Sequence, residues 1–209
     1  QTDYVDIMFM HMPDTREEFL VEEHLKTFEK ARKDGLCRFI GVSTHVNQAD
    51  ILDAAVETKL MDAVLVGYSY HSPKELTEAI ERARKAGLAI IAMKTQIPCK
   101  EEGYPPQREG VTPNQAALRW VLNNRYVDTT IPGMTSFDHL SEDLGVMNMK
   151  MSFNDYEGLY RFGQRQKTSF CRSVSGCTGC KGTCPYGVEI CQLNRCLTYA
   201  YGYNNFELA

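Results

Sequence analysis

DYVDIMFMHM (residues 3–12) is the stretch on which the fold turns. It contains a continuous apolar run of strand length, the pattern of a strand covered on both faces, as in a parallel sheet. Directly behind it, Thr15 and Glu18 stand at capping-box spacing. Val21, Leu25 and Phe28 follow at helical spacing, and Gly35 sits where a helix is expected to end. The same unit then recurs. CRFIGVST (37–44), AVLVGYSY (63–70), LAIIAMKT (88–95) and DTTIPGM (128–134) read as strands. Each is trailed by a helix pattern. Ile51, Leu52, Ala55 and Val56 follow the second strand, with Asn47 as the expected cap. Leu76, Ile80 and Ala83 follow the third, behind Ser72-Pro73-x-Glu75, and Gly87 ends that helix. Ala117, Leu118, Val121 and Leu122 follow the fourth, behind Thr112-Pro113-x-Gln115. Leu140 and Leu144 follow the fifth, after Ser136.

Five βα units imply an α/β fold with a parallel sheet and right-handed crossovers. Such a sheet is either open and doubly wound or part of a barrel. No G-x-G-x-x-G follows any strand, so the dinucleotide fingerprint of the open sheet is missing. The segment 96–111, rich in Pro, Gly and charge, follows a strand and so belongs to the C-terminal face of the sheet. Loops of that length are functional or simply mobile.

The 209 residues carry a net charge of −4, with 43% hydrophobic and 24% charged residues. These fractions exclude a mainly disordered chain, and the acidic balance argues against a general nucleic-acid surface. The longest apolar run, Leu88 to Met93, is too short to cross a bilayer. No basic–apolar–small leader is visible, so a cytoplasmic protein without a membrane partner is expected. The charge is uneven. From Gln166 onward there are four basic and two acidic residues, which leaves −6 for the body, and six of the eight cysteines lie in that tail. The composition therefore suggests a βα body over residues 1–150 and an extension over 151–209. The chain opens on Gln1 with a strand pattern already running, and it stops at Ala209 without a terminating signal. Missing portions are expected at both ends.

Cys171-x5-Cys177-x2-Cys180-x3-Cys184-Pro185 is the most specific signal in the chain. The run C-x2-C-x3-C-P is a ferredoxin spacing, in which closely spaced thiolates converge on one cluster. The usual earlier ligand would stand at Val174, so Cys171, with three extra residues looped out, is the fourth ligand expected for a single [4Fe–4S] cluster. Cys191 and Cys196 are reserve ligands. Four cysteines also suit zinc, and disulfides would need an oxidising compartment. Cys37 and Cys99 are isolated and expected to be inert. Leu193 to Tyr203, with Arg195, Tyr199, Tyr201 and Tyr203, reads as a helix or turn packing aromatics over the cluster segment. The basic groove that single-stranded nucleic acid needs is absent.

TDYVDIMFMH, RFIGVSTH, LAIIAMKT, AALRWVLNN and TTIPGMTSFDHLSED together resemble the second half of an aldo–keto reductase. CTGCKGTCPYGVEI resembles the ferredoxin-like segment that follows the barrel in one branch of that family. The resemblance implies a (β/α)8 barrel, here represented by about five units, that binds NAD(P)H without a Rossmann fold. It implies hydride transfer between a nicotinamide and a small carbonyl or alcohol substrate, and a redox partner if the cluster passes electrons. Of the family's catalytic Asp, Tyr, Lys and His, only the His falls within this sequence, at His11. The others, and three strands, would precede Gln1. A strand-end imidazole can donate to a carbonyl oxygen and stabilise developing negative charge. His24, His45 and His71 carry no such support and read as surface or loop residues.

Ser43 and Thr44 match polar positions that bind the nicotinamide carboxamide. Met93 matches a position where relatives stack an aromatic on the nicotinamide, and Lys94 next to it would meet a phosphate or the substrate. Gly133, Met134, His139, Glu142 and Asp143 align with the adenosine-phosphate site. NADPH-specific relatives often carry Lys and Arg where this chain has Gly133 and His139. A 2′-phosphate wants positive charge, so NADPH preference is not implied. The alternative is a non-catalytic nucleotide- or partner-binding module with a structural or redox-sensing cluster. A third reading is a cluster-dependent electron carrier.

Overall fold

The computed structural model describes residues 2–96, 111–166 and 184–197. Five strands, β1 (Val5–His11), β2 (Cys37–Thr44), β3 (Ala63–Gly67), β4 (Ala89–Met93) and β5 (Thr129–Thr130), form one parallel sheet in the order of the chain. Helices α1 (Arg16–Phe19) and α2 (Glu22–Lys33), then α3 (Gln48–Thr58), α4 (Lys74–Lys85) and α5 (Pro113–Leu122) lie between them. Helices α6 (Phe137–Leu144), α7 (Phe153–Gln166) and α8 (Ile190–Leu197) come after β5. The chain divides into two compact units. The first holds Gln1–Tyr68, Ser72–Met93 and Asn124–Ile131, and the second holds Ser69–His71, Lys94–Asn123 and Pro132–Ala209.

In the first unit the pleat sorts the sheet into two faces. One face carries Val42, Val64, Val66, Ile90 and Ala92, all fully buried. Ile51, Leu52 and Ala55 of α3 and Leu76, Ala79, Ile80 and Ala83 of α4 are buried as well, and both helices pack on the strands. The opposite face carries the register rows Phe9–Gly41–Ala63–Ala89 and His11–Ser43–Leu65–Ile91–Thr129. In the second unit, Ala116 and Ala117 of α5 and Leu159 of α7 form a small core, flanked by Tyr70, Val111, Trp120 and Met151.

The alternation of strand and helix is as the sequence implies, with several differences. The helix expected behind Thr15 is two. Thr15 caps α1 and accepts from the Glu18 N–H at 3.2 Å, but the Glu18 carboxylate accepts from Asp14 N, at 2.8 Å. Val21 (φ −58°, ψ 117°) then breaks the helix before α2 begins. The break accompanies the complete burial of Phe19 in α1, whereas α2 buries none of its residues. Asn47 precedes α3 in the left-handed region (φ 46°) and its side chain makes no cap bond. The N-cap position of α4 is Pro73, one residue beyond the expected Ser72. β2 spans the stretch expected for it, and the other four strands are shorter than theirs. β1 and β4 end where Met12 (φ 58°) and Lys94 (φ 53°) enter the left-handed region. Beyond β5, Ile131 N makes one last bond to Ala92 O at 2.9 Å before Pro132, which has no N–H to offer. The caps at Thr112 and Ser136 are present, the former as a full capping box with Gln115. Helix α7 was not expected, although Ser152 and Asp155 cap it reciprocally, at 2.7 and 3.2 Å.

Candidate functional site

In the first unit, His11 is the last residue of β1 and Ser43 is its register partner on β2. Partners in a parallel ladder project to the same face. Met12 N donates to Ser43 O at 2.8 Å, which closes the two strand ends together just past His11. Ser43 is 1% exposed and its Oγ has no hydrogen-bond partner among the described residues. A buried hydroxyl without a partner is costly, so its donor and acceptor capacity is available to a bound amide. Thr44 falls on the other face and is fully buried. Its Oγ1 donates to Val46 O at 2.8 Å, so that hydroxyl closes a turn. Met93 ends β4 opposite Gly67 and is buried. By the pleat it lies on the face of Ser43, one row further along.

Beneath His11 and Ser43, the Phe9 ring lies across Gly41, where a Cβ would stand 2.6 Å from Phe9 Cδ1. Beside His11 stands His45. The two imidazole centroids are 5.9 Å apart with their planes at 90°. His45 lies in the loop after β2, in keeping with its reading as a surface or loop residue, and is half-buried; its contact across the β1–β2 ends has no signature in the local sequence.

In the second unit, Lys94 is exposed and Thr95 fully buried, its Oγ1 without a partner among the described residues. Gln96 Nε2 donates to Asp143 Oδ1. Asp143 is 7% exposed and its Oδ2 has no partner among the described residues. Burial lifts its carboxyl above the ordinary range, against the pull of the Gln96 bond, and the neighbouring Glu142 charge adds to the rise. Glu142 accepts from Thr112 Oγ1 through its side chain and from Gln115 Nε2 through its carbonyl, the latter at 2.8 Å. Gly133 and Met134 are exposed. His139 is exposed, with Nδ1 3.2 Å from Thr135 Oγ1, and its N–H donates to Ser136 Oγ at 3.2 Å. No Lys or Arg occurs between residues 132 and 149. Gln96 and Thr95 were missed by the sequence reading, because only the fold reveals the Asp143 contact and the burial of the Thr95 hydroxyl.

Of the four expected cluster ligands, Cys171, Cys177 and Cys180 lie outside the described residues, as do Cys99 and the tyrosines at 199, 201 and 203. Cys184 is half-buried and makes no disulfide; Cys196 is likewise free, and Cys37 is free and buried. Among the described residues no group of three or more His, Cys, Asp or Glu side chains is placed to hold a metal ion, and no helix is long and apolar enough to cross a membrane.

The parallel βα units, with candidate residues at the C-terminal ends of the strands, define a class that the family comparison makes specific. A model described as "Aldo/keto reductase family" matches residues 1–95 and 106–161, and the chain belongs to that family. It is 25% identical over 165 residues to methylglyoxal reductase DkgB of Escherichia coli O157:H7, a match covering 76% of this chain and 60% of that protein. The chain thus spans under two thirds of the length of that relative. Among solved structures, aldo-keto reductase AKR11C1 from Bacillus halodurans in its holo form superposes with a TM-score of 0.60 at 16% identity, over 77% of this chain and 59% of that one. An aldo-keto reductase from Klebsiella pneumoniae in complex with NADPH gives 0.58 at 20% identity, with the same two coverages. The five-stranded sheet therefore matches part of the barrel of these reductases.

Proposed function

We propose that this chain is the C-terminal portion of a cytoplasmic, nicotinamide-dependent reductase of small carbonyl compounds, with an iron–sulfur cluster on its tail. The observation that carries the reading is the strand-end pair of His11 and the buried, unpartnered Ser43 hydroxyl on one face of the sheet. His11 donates a hydrogen bond to the substrate oxygen, orienting the carbonyl and stabilising negative charge as it develops there. Ser43 takes the carboxamide of the nicotinamide, and Met93 packs against the ring. Thr44 supports this edge through its turn bond to Val46. NAD(P)H, when bound, supplies the hydride. Methylglyoxal, the substrate in the name of the curated relatives, is the natural first test compound.

Residues 1–150 form the barrel portion in this reading. Gly133, Met134, His139, Glu142 and Asp143 serve the adenosine end, and Lys94 a phosphate or the substrate. With three acidic residues and no Lys or Arg from 132 to 149, NADH is expected to bind at least as well as NADPH. Residues 151–209 form the extension, with Cys171, Cys177, Cys180 and Cys184 as cluster ligands. Their spacing supports a single [4Fe–4S] cluster, whose energy of ligation ties the tail together.

In the full-length protein, His11→Ala is expected to lower kcat for methylglyoxal by about 100-fold or more while leaving nicotinamide affinity unchanged. Equal turnover by the variant would refute the role of His11. Iron and acid-labile sulfide in anaerobically prepared protein, lost in Cys180→Ser, would support the cluster; bound zinc in their place would refute it. One observation favours the non-catalytic alternative for this chain alone: of the four catalytic positions implied by the family resemblance, only His11 is within it. That alternative predicts nucleotide binding without turnover.

A further inference from the structure

We propose that His45 is a positioning residue that fixes the ring plane of His11. The inference rests on the reductase reading for its functional consequence, and on geometry for the pairing itself. His11 ends β1 with an exposed side chain, and the outer torsion of a histidine is intrinsically broad. A donor at such a position acts efficiently only if its nitrogen is held on the line to the substrate oxygen. The described contact that restrains its ring is His45, perpendicular to it at 5.9 Å between centroids. Edge-to-face packing of this kind opposes rotation of either ring, because turning one drives its face into the other's edge.

The two rings are mounted on backbone that is itself tied across the gap. Met12, directly after His11, donates its N–H to Ser43 O at 2.8 Å. Thr44, directly before His45, closes the turn to Val46. Asn47 then reaches back, its Nδ2 donating to Asp14 O at 2.7 Å, so the loop after β2 is clamped to the loop after β1. Met12 and Asn47 both hold left-handed backbone, with φ of 58° and 46°. Asparagine enters that region readily, whereas a methionine does so at a cost that its surroundings must offset. The two loops are thus tied to each other beside the ring pair, and His45, half-buried, is the more covered of the two residues.

The test follows the His11 ring protons by NMR in the whole chain, in the wild type, His45→Ala and His45→Phe. Cross-relaxation between the two rings is expected in the wild type. His45→Ala should move the His11 ring signals toward those of a freely turning imidazole. His45→Phe keeps an aromatic ring but no nitrogen, and should return them toward the wild-type positions. Unmoved His11 signals in His45→Ala, or a failure of phenylalanine to restore them, would overturn the proposal. Should His45→Ala lose its amide dispersion, the wild-type cross-relaxation and the phenylalanine variant still decide it. The kinetic arm uses full-length protein with NADH and methylglyoxal. His45→Ala should lower kcat roughly 10- to 100-fold with the KM for NADH unchanged, and His45→Phe should recover most of the loss. An unchanged kcat in His45→Ala overturns positioning. Absence of turnover in the wild type instead overturns the reductase reading, and leaves the ring pair to the NMR result.

Discussion

Gly41 is held to its identity by the floor it forms beneath His11 and Ser43. A Cβ there would lie 2.6 Å from Phe9 Cδ1 and 2.9 Å from the carbonyl oxygen of Ala63, one of them backbone that cannot turn aside. Gly41→Ala is therefore expected to cost about 1–3 kcal/mol, the range for overfilling a packed site, measured as a lowered urea midpoint. An unchanged midpoint would mean that Phe9 swings clear at no cost. Asp143 presents the opposite case, a native residue that works against stability. Burial raises its carboxyl pKa above the unfolded value. The folded chain then holds this proton more tightly than the unfolded chain, and stability falls as pH rises from the ordinary aspartate range through the raised folded pKa. Asp143→Asn keeps an oxygen for Gln96 Nε2 and removes the titration. The variant should melt higher than the wild type near neutrality. Its advantage should fade as the pH is lowered to about 4, near the unfolded aspartate pKa. A constant offset at all pH values would show that the carboxyl does not titrate as its burial requires.

At the scale of elements, one device appears twice. Asp62, immediately before β3, donates its N–H to Ile40 O at 2.7 Å and accepts from Ile40 N through Oδ2 at 2.8 Å. Asp128, immediately before β5, does the same with Ile90, at 2.9 and 2.8 Å. Each carboxylate also meets an arginine of a helix, Arg32 of α2 at 3.1 Å and Arg84 of α4 at 3.0 Å. The carboxylate extends the ladder by one bond where the neighbouring strand has not yet begun. Ile90 is fully buried, so Asp128→Ala leaves its N–H unsatisfied and should cost about 1–3 kcal/mol. Asp128→Asn keeps an acceptor and loses only a half-exposed ion pair, worth at most about 1 kcal/mol. If the two variants melt alike, the ion pair and not the backbone bond is what matters. Nothing in DTTIPGM announces this role, because the partner lies 38 residues earlier. What the sequence made legible is what local physics decides: the alternation of strand and helix, the caps at Thr15, Thr112 and Ser136, and the helix-ending Gly35 and Gly87, both at positive φ. Strand ends were overrun because Met12 and Lys94 have no intrinsic reason to turn left-handed. Helix α7 was overlooked although Ser152-x-x-Asp155 carried a capping signal. At the candidate site, the family resemblance points to His11 and Ser43, which the strand register pairs, whereas the contacts of His45 and Gln96 arise only in the folded chain.

For the molecule as a whole, the decisive feature is the free side of β1. In the described sheet β1 stands at the end of the strand order and pairs with β2 alone. Tyr4, Val5 and Phe39 beside it are 46%, 44% and 44% exposed. Helix α2, which follows α1, has the spacing of an amphipathic helix but leaves Leu25 and Phe28 only half-covered. An unpaired strand edge with apolar side chains around it is a template for another strand. The chain therefore combines a well-buried centre, around β3 and β4, with an edge that has its own capacity to recruit a partner. The 209-residue chain made by itself is expected to self-associate reversibly, with a sedimentation coefficient that rises with concentration. Val5→Lys should reduce that association without lowering the melting midpoint of the monomer, since position 5 is exposed and a lysine on an edge disfavours strand addition. Association that persists in Val5→Lys would move the contact to another surface, such as the exposed aromatics Phe153 and Tyr160 of α7. A monodisperse wild-type chain that melts cooperatively would mean that the β1 edge is satisfied within the chain.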